Sequence, residues 1–164
     1  IYTLSLHDAL PISQIAAPHS VDNVAPIAQF VGTPVNQAFL GTCTGGRADD
    51  LAIAAKILAG KKINPRTRFI VVPASKNVLL EAMANGTMKT LVEAGATFVT
   101  PGCAACLGTH EGMLGAGETC ITASSRNFPG RMGSTKANIY LGSPASVAAA
   151  ALNGKIVDPT EYLK

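Results

Sequence analysis

Gln37-Ala-Phe-Leu40 is a short apolar run that stops at Gly41, and the chain then turns through Gly41-Thr-Cys-Thr-Gly-Gly-Arg47. A short apolar run bounded by turn residues reads as a buried strand. From Ala48 to Ala59 the period changes. Leu51, Ala55 and Leu58 fall on one helical face, Asp49 and Asp50 favour a helix N-terminus, and Gly60 closes the segment. Arg68-Phe-Ile-Val-Val72 follows, rich in β-branched residues and bounded by prolines, which again predicts a buried strand. Strand, turn, helix and strand in this order form a βαβ unit, whose two strands run parallel.

The same alternation continues outward. Ser75 is a suitable N-cap for a helix through Ala84, ended by Asn85-Gly86, and Thr87 opens another that ends at Gly95. Thr97-Phe-Val-Thr100 reads as a strand running into Pro101-Gly-Cys-Ala-Ala-Cys-Leu-Gly108. Thr119-Cys-Ile-Thr122 and Ile139-Tyr-Leu141 read as further strands, and Pro144 to Leu152 as an alanine-rich helix. Upstream, Pro18 to Pro26 reads as loop. The expected fold class is α/β, a three-layer αβα domain with a mainly parallel sheet, formed by residues 13–164. Ligands in such sheets bind outside the carboxyl ends of the strands. Both cysteine motifs follow a strand directly, so the fold should deliver them to one edge.

Tyr2-Thr-Leu-Ser-Leu-His-Asp-Ala-Leu-Pro-Ile12 matches one reading frame of a common short-read sequencing adapter, so residues 1–12 are expected to carry no fold. Native sequence is expected from about Ser13, in a reading frame cut off upstream. Of the 164 residues, 48% are apolar and 14% charged, the composition of a compact α/β protein. The net charge of +3 comes from scattered Lys and Arg with no basic block, which argues against nucleic acid or a membrane surface as partner. No apolar run reaches the roughly 18 residues of a membrane span. With no secretory signal in view, a C-x-x-C points to cytoplasmic metal or redox chemistry.

Cys43, Cys103 and Cys106 supply three soft ligands among glycines that let backbone N–H groups approach sulfur. Three thiolates on a four-iron cluster leave one iron open to a substrate. Zinc is a competing reading but wants a fourth ligand, and only His7, His19 and His110 exist. Thiol–disulfide exchange is another, although a redox C-x-x-C should open a helix early in its domain. Cys120, in an apolar strand without flanking glycine, reads as a small buried hydrophobe.

Three phrases, Gly41-Thr-Cys-Thr-Gly-Gly-Arg47, Pro101-Gly-Cys-Ala-Ala-Cys106 and Ser125-Arg-Asn-Phe-Pro-Gly-Arg131, occur in an order and spacing that resembles the aconitase and isopropylmalate dehydratase family. Ile139-Tyr-Leu-Gly-Ser-Pro-Ala145 is similar to the family's next stretch. The resemblance implies a [4Fe–4S] cluster held by Cys43, Cys103 and Cys106. It implies a hydro-lyase isomerising a small hydroxy-di- or tricarboxylic acid, most directly 3-isopropylmalate in leucine biosynthesis. Homoaconitate, dimethylmalate and citrate are the alternatives within the family. Arg126, Arg131 and Ser125 match positions that meet the substrate. The family's further catalytic groups are expected outside this chain, some on a small subunit carrying a swivelling domain, so the chain by itself is expected to be inactive. Arg47, Asp49 and Asp50 are expected to serve the helix start, Asn127 and Phe128 to be scaffold, and His110 to be a surface residue. Gly45 and Ser125 depart from the family pattern, which has Asn at both. A non-catalytic zinc or thiol-redox domain is the reading from a different class.

Overall fold

The computed structural model describes residues 13–163; the segment 1–12, expected to carry no fold, lies outside the described residues. A seven-stranded sheet is built from β1 (Gln14–Ala16), β2 (Val24–Pro26), β3 (Gln37–Gly41), β4 (Arg68–Val72), β5 (Thr97–Phe98), β6 (Thr119–Thr122) and β7 (Asn138–Leu141), in the order β2-β1-β7-β6-β3-β4-β5. The five strands from β7 to β5 are mutually parallel, and β1 and β2 add an antiparallel edge beside β7. The α/β class and the mainly parallel sheet are thus as the alternation predicts. The short β1–β2 pair is the addition: the segment Pro18 to Pro26, read as loop, ends in a strand.

Among the described residues, five α-helices accompany the sheet: α1 (Thr42–Gly45), α2 (Ala48–Leu58), α3 (Lys76–Ala84), α4 (Thr87–Ala94) and α5 (Pro144–Asn153). Their ends follow from local chemistry. Ser75 accepts from the Val78 N–H, Ser143 accepts from the Ser146 N–H, and Asp50 accepts from the Arg47 N–H at the start of α2. Gly95 and Gly154 close α4 and α5 in the left-handed conformation. Asp50 is therefore spent on the helix start, as expected.

Side chains alternate across the pleat and sort into two cores. Ala38, Leu40, Phe69, Val71 and Ile121 point to the face covered by α2, α4 and α5. Phe39, Ile70, Val72, Cys120 and Ile139 point to the other, which meets Ala104, Ala105, Cys106, Leu114 and Met132. Among the described residues, no long helix covers that second face. Its layer is the 3-10 turn Ala104–Leu107 and the irregular segments around residues 108–118 and 128–137.

Chirality explains the asymmetry. From β3 the chain steps to β4 and β5 in one direction, with its helices on the first face. It then reverses, to β6 and β7 on the other side of β3. A right-handed crossover in the reverse direction must pass over the opposite face. The connection that carries the C-x-x-C is therefore laid across the second face, and the order reverses between β3 and β6.

The crossover is fastened where it reaches the amino ends of the strands. Gln37 Nε2 donates to the Gly112 carbonyl at 2.7 Å, and Arg68 Nε donates to Gln37 Oε1 at 3.0 Å. Arg68 also grips Glu118 with two bonds of 2.8 and 2.9 Å. The Arg68 hydrogen bonds hold the Glu118 carboxyl below its ordinary value, against the opposing effect of partial burial. A lowered carboxyl adds stability above the unfolded-state value, and that stability is lost as pH falls through the folded one. Glu118→Gln is accordingly expected to flatten the acid side of a Tm–pH profile. The effect stays within about 1 kcal/mol because the pair is partly exposed and screened by solvent.

A thiol-rich edge as the candidate functional site

β3 is the central strand of the reversal, and its last residue sets the turn after it. Gly41 has φ 154° and ψ −161°, a region open essentially to glycine alone. A Cβ there would lie 2.7 Å from the Val72 nitrogen and against the Val72 carbonyl. On the other flank, a Cβ on Gly45 would lie 2.6 Å from Ala123 Cβ and 2.7 Å from the Ala123 carbonyl oxygen. The turn bearing Cys43 is thus wedged between the ends of β4 and β6, and only glycine fits against either wall. The backbone is tense here as well. Thr42 has φ 65°, rare for a β-branched residue, and Ala104 beside Cys103 has φ 43°.

Both cysteine turns lie at the carboxyl edge of the sheet, because β3 and β5 are both parallel to β4. All four cysteines are free; Cys43 and Cys103 are exposed, whereas Cys106 and Cys120 are buried. Among the described residues, however, no group of three Cys, His, Asp or Glu side chains stands close enough to hold a metal ion. The edge brings the turns together without closing their thiols on one point.

Ser125, Arg126 and Arg131 follow β6 at the same edge, but they differ in setting. Ser125 and Arg126 are exposed, whereas Arg131 is half-buried and its Nη2 donates to Cys106 Sγ at 3.8 Å. Arg131 also lies over the Phe128 ring, 5.7 Å from its centroid, and its Nε is buried with no partner among the described residues. Leu114 links the two segments: its N–H donates to the Met132 carbonyl at 2.8 Å, and its carbonyl accepts from Ser134 at 2.9 Å. Asn127 is buried, and its Nδ2 donates to the carbonyls of Ala17, Ser20 and Ile139. It braces the turn against β1 and β7, the scaffold role expected of it. No spacing rule reveals the contact between Arg131 and Cys106, because it depends on which face the crossover takes.

His110 is exposed with φ 67° and lines a cavity of about 240 Å³ together with Thr100, Cys103 and Thr109. Cys120 is fully buried, and burial pushes its thiol far above the ordinary cysteine value. The thiols should therefore separate under an alkylating reagent. Cys43 and Cys103 are expected to react in the folded chain, while Cys120 reacts only after unfolding, as mass spectrometry of the labelled peptides would read.

A family model described as "Aconitase family (aconitate hydratase)" matches residues 7–154. The chain is 55% identical over 146 residues to the "Probable methanogen homoaconitase large subunit" of Methanosarcina mazei, covering 89% of this chain and 37% of that protein. It is 51% identical over 149 residues to "3-isopropylmalate dehydratase large subunit 2" of Archaeoglobus fulgidus, covering 91% of this chain and 36% of that protein. It is also 51% identical over 148 residues to the "Homoaconitase large subunit" of Thermus thermophilus, covering 90% of this chain and 35% of that protein. The chain spans little more than a third of the length of these relatives. The matched range takes in both cysteine turns and the loop from Ser125 to Arg131, and on that match the chain belongs to the aconitase family.

Proposed function

We propose that this chain holds the iron–sulfur cluster of a hydro-lyase large subunit. The enzyme would isomerise a hydroxy-di- or tricarboxylic acid by loss and return of water. Its first substrate on this reading is 3-isopropylmalate, with homoaconitate as the alternative, the two activities named among its relatives. The observation that carries the reading is the delivery of three free thiols, Cys43, Cys103 and Cys106, to one sheet edge, with a guanidinium against one of them.

The donor set fits a [4Fe–4S] cluster. Thiolate sulfur is its ligand, and four buried polar atoms on these segments lack partners among the described residues: Thr42 Oγ1, Ser124 Oγ, Asn127 Oδ1 and Arg131 Nε. When bound, the cluster supplies a Lewis-acidic iron for the departing hydroxyl of the substrate. The chain's own part is to hold and to orient. Cys43, Cys103 and Cys106 act as thiolates, and the Arg131 charge offsets the negative charge gathered at Cys106. Arg126 and Ser125, exposed on the adjoining loop, take a substrate carboxylate, for which the guanidinium fork is suited. The remaining catalytic groups belong to parts of the enzyme beyond this chain, including a small subunit of the kind that the relatives' "large subunit" names call for. The setting on this reading is the cytoplasm.

Anaerobic incubation of the chain with ferrous iron and sulfide tests the reading. About four iron and four sulfide per chain are expected. Stoichiometric zinc uptake without labile sulfide would overturn it.

A further inference from the structure

Arg131 is half-buried, yet among the described residues no carboxylate pairs with it: the ion pairs there are Arg68 with Glu118 and Lys89 with Glu93. A charge drawn partly out of water is ordinarily paired. A sulfur and a ring face this one. Its Nη2 donates to Cys106 Sγ at 3.8 Å, and the guanidinium stands 5.7 Å from the Phe128 ring centroid. A neutral thiol is a weak acceptor, so the contact gains most from a sulfur that carries negative charge, as a cluster ligand does. The main chain fixes the approach. Gly108, two residues past Cys106, has φ 74°, and a β-carbon there would lie 3.0 Å from the Arg131 carbonyl oxygen and 3.2 Å from the Gly133 nitrogen. Gly133 is pressed in turn on Leu114, whose carbonyl oxygen would lie 2.6 Å from a β-carbon at Gly133. The two turns thus meet backbone to backbone, with Arg131 and Cys106 at the contact.

We propose that Arg131 is a positioning residue for Cys106: its guanidinium holds the ligand sulfur in place and, by its charge, raises the reduction potential of the cluster bound there. The inference rests on the reading of the preceding subsection and deepens it. One-electron reduction adds a negative charge to a cluster, so a cation in contact with a ligand sulfur favours the reduced state. The phrase from Ser125 to Arg131 thereby divides its work. Arg126, exposed on the same loop, is free for a substrate carboxylate, while Arg131 is committed to the thiol whether or not substrate is present.

The test is made without substrate, where a role confined to substrate carboxylates moves nothing. Arg131→Met keeps the length and removes the charge, Arg131→Lys keeps the charge without the fork, and Arg126→Met is the control from the same loop. After reconstitution of each chain with iron and sulfide, a dithionite titration is followed by electron paramagnetic resonance. Arg131→Met is expected to lower the one-electron reduction equilibrium about tenfold, about 59 mV. Arg131→Lys should shift it less, and Arg126→Met should stay at the parent value. An Arg131→Met chain that loads fully and titrates at the parent potential overturns the proposal while leaving the cluster assignment standing. Equal shifts in Arg131→Met and Arg126→Met assign the effect to the general field of the loop and also overturn it. If Arg131→Met retains too little cluster to titrate, loading by Arg131→Lys supports the proposal, whereas loss in both assigns Arg131 to the folding of the turn and overturns it. A parent chain that takes up neither iron nor sulfide overturns both readings.

Discussion

Cys43→Ser is expected to reduce the iron and sulfide retained after anaerobic reconstitution to less than about a tenth of the parent value. Even losing the outer partners of a metal ligand costs about 10–100-fold in metal affinity, and a lost ligand costs at least that. Serine oxygen is a hard donor and keeps its proton at neutral pH, where a cysteine can supply a soft thiolate. The turn itself should survive the exchange. Cys43 is exposed, and serine differs from it by one atom, so the metal-free variant should melt with the parent. Cys120→Ser gives the opposite pattern. It places a hydroxyl in a fully buried strand position, where an unpaired one costs about 1–3 kcal/mol, yet it should load a cluster normally. Iron and sulfide assays beside a melting curve separate the two. A Cys43→Ser chain that loads like the parent would remove Cys43 from the ligand set.

The second large effect is expected at Gly41, through the backbone. Gly41→Ala places a β-carbon against the main chain of Val72 in the adjacent strand, and it forces a φ of 154° on a residue that avoids it. Overpacking and backbone strain act together here, and neither neighbour can yield without disturbing the β3–β4 ladder. A loss of about 3 kcal/mol is expected, read as a lower urea midpoint at unchanged slope. Cluster retention should fall as well, because Cys43 is two residues along. A variant as stable as the parent would mean that the wedge between β4 and β6 is softer than its geometry states.

Much of this was legible in the sequence because it is written in local chemistry. The Arg68–Val72 strand has its bounding prolines, α3 its Ser75 cap and α4 its closing Gly95, and each lies where the residues alone put it. The parallel βαβ order likewise places both cysteine turns at one edge. What was not legible depends on pairing across distance. β2 ends in Pro26 and has no alternating pattern, and β1 finds its partner Leu141 more than a hundred residues away. Thr97–Phe98 is shorter than the strand predicted over Thr97–Thr100: it pairs only with Ile70 and Val71, and Val99 adds a single backbone bond to the Val71 carbonyl before the chain turns away. The phrase around Arg131 implies a substrate ligand and is silent on its thiol contact. Its contact with Cys106 arises from the two crossovers sharing a face, which no local pattern encodes.

The lopsided construction of the two faces carries a consequence for motion. One side of the sheet is clamped by α2, α4 and α5, while the other is covered by turns with few repeating backbone bonds. Regions of that kind open locally at a fraction of the global unfolding free energy. Amide exchange should divide accordingly, with α2, α5 and the central strands protected long after residues 100–118 have exchanged. On the proposed reading, a C-x-x-C turn on the looser side would open and reclose around a cluster while the sheet stays folded, so that the cluster could be inserted or repaired without dismantling the domain.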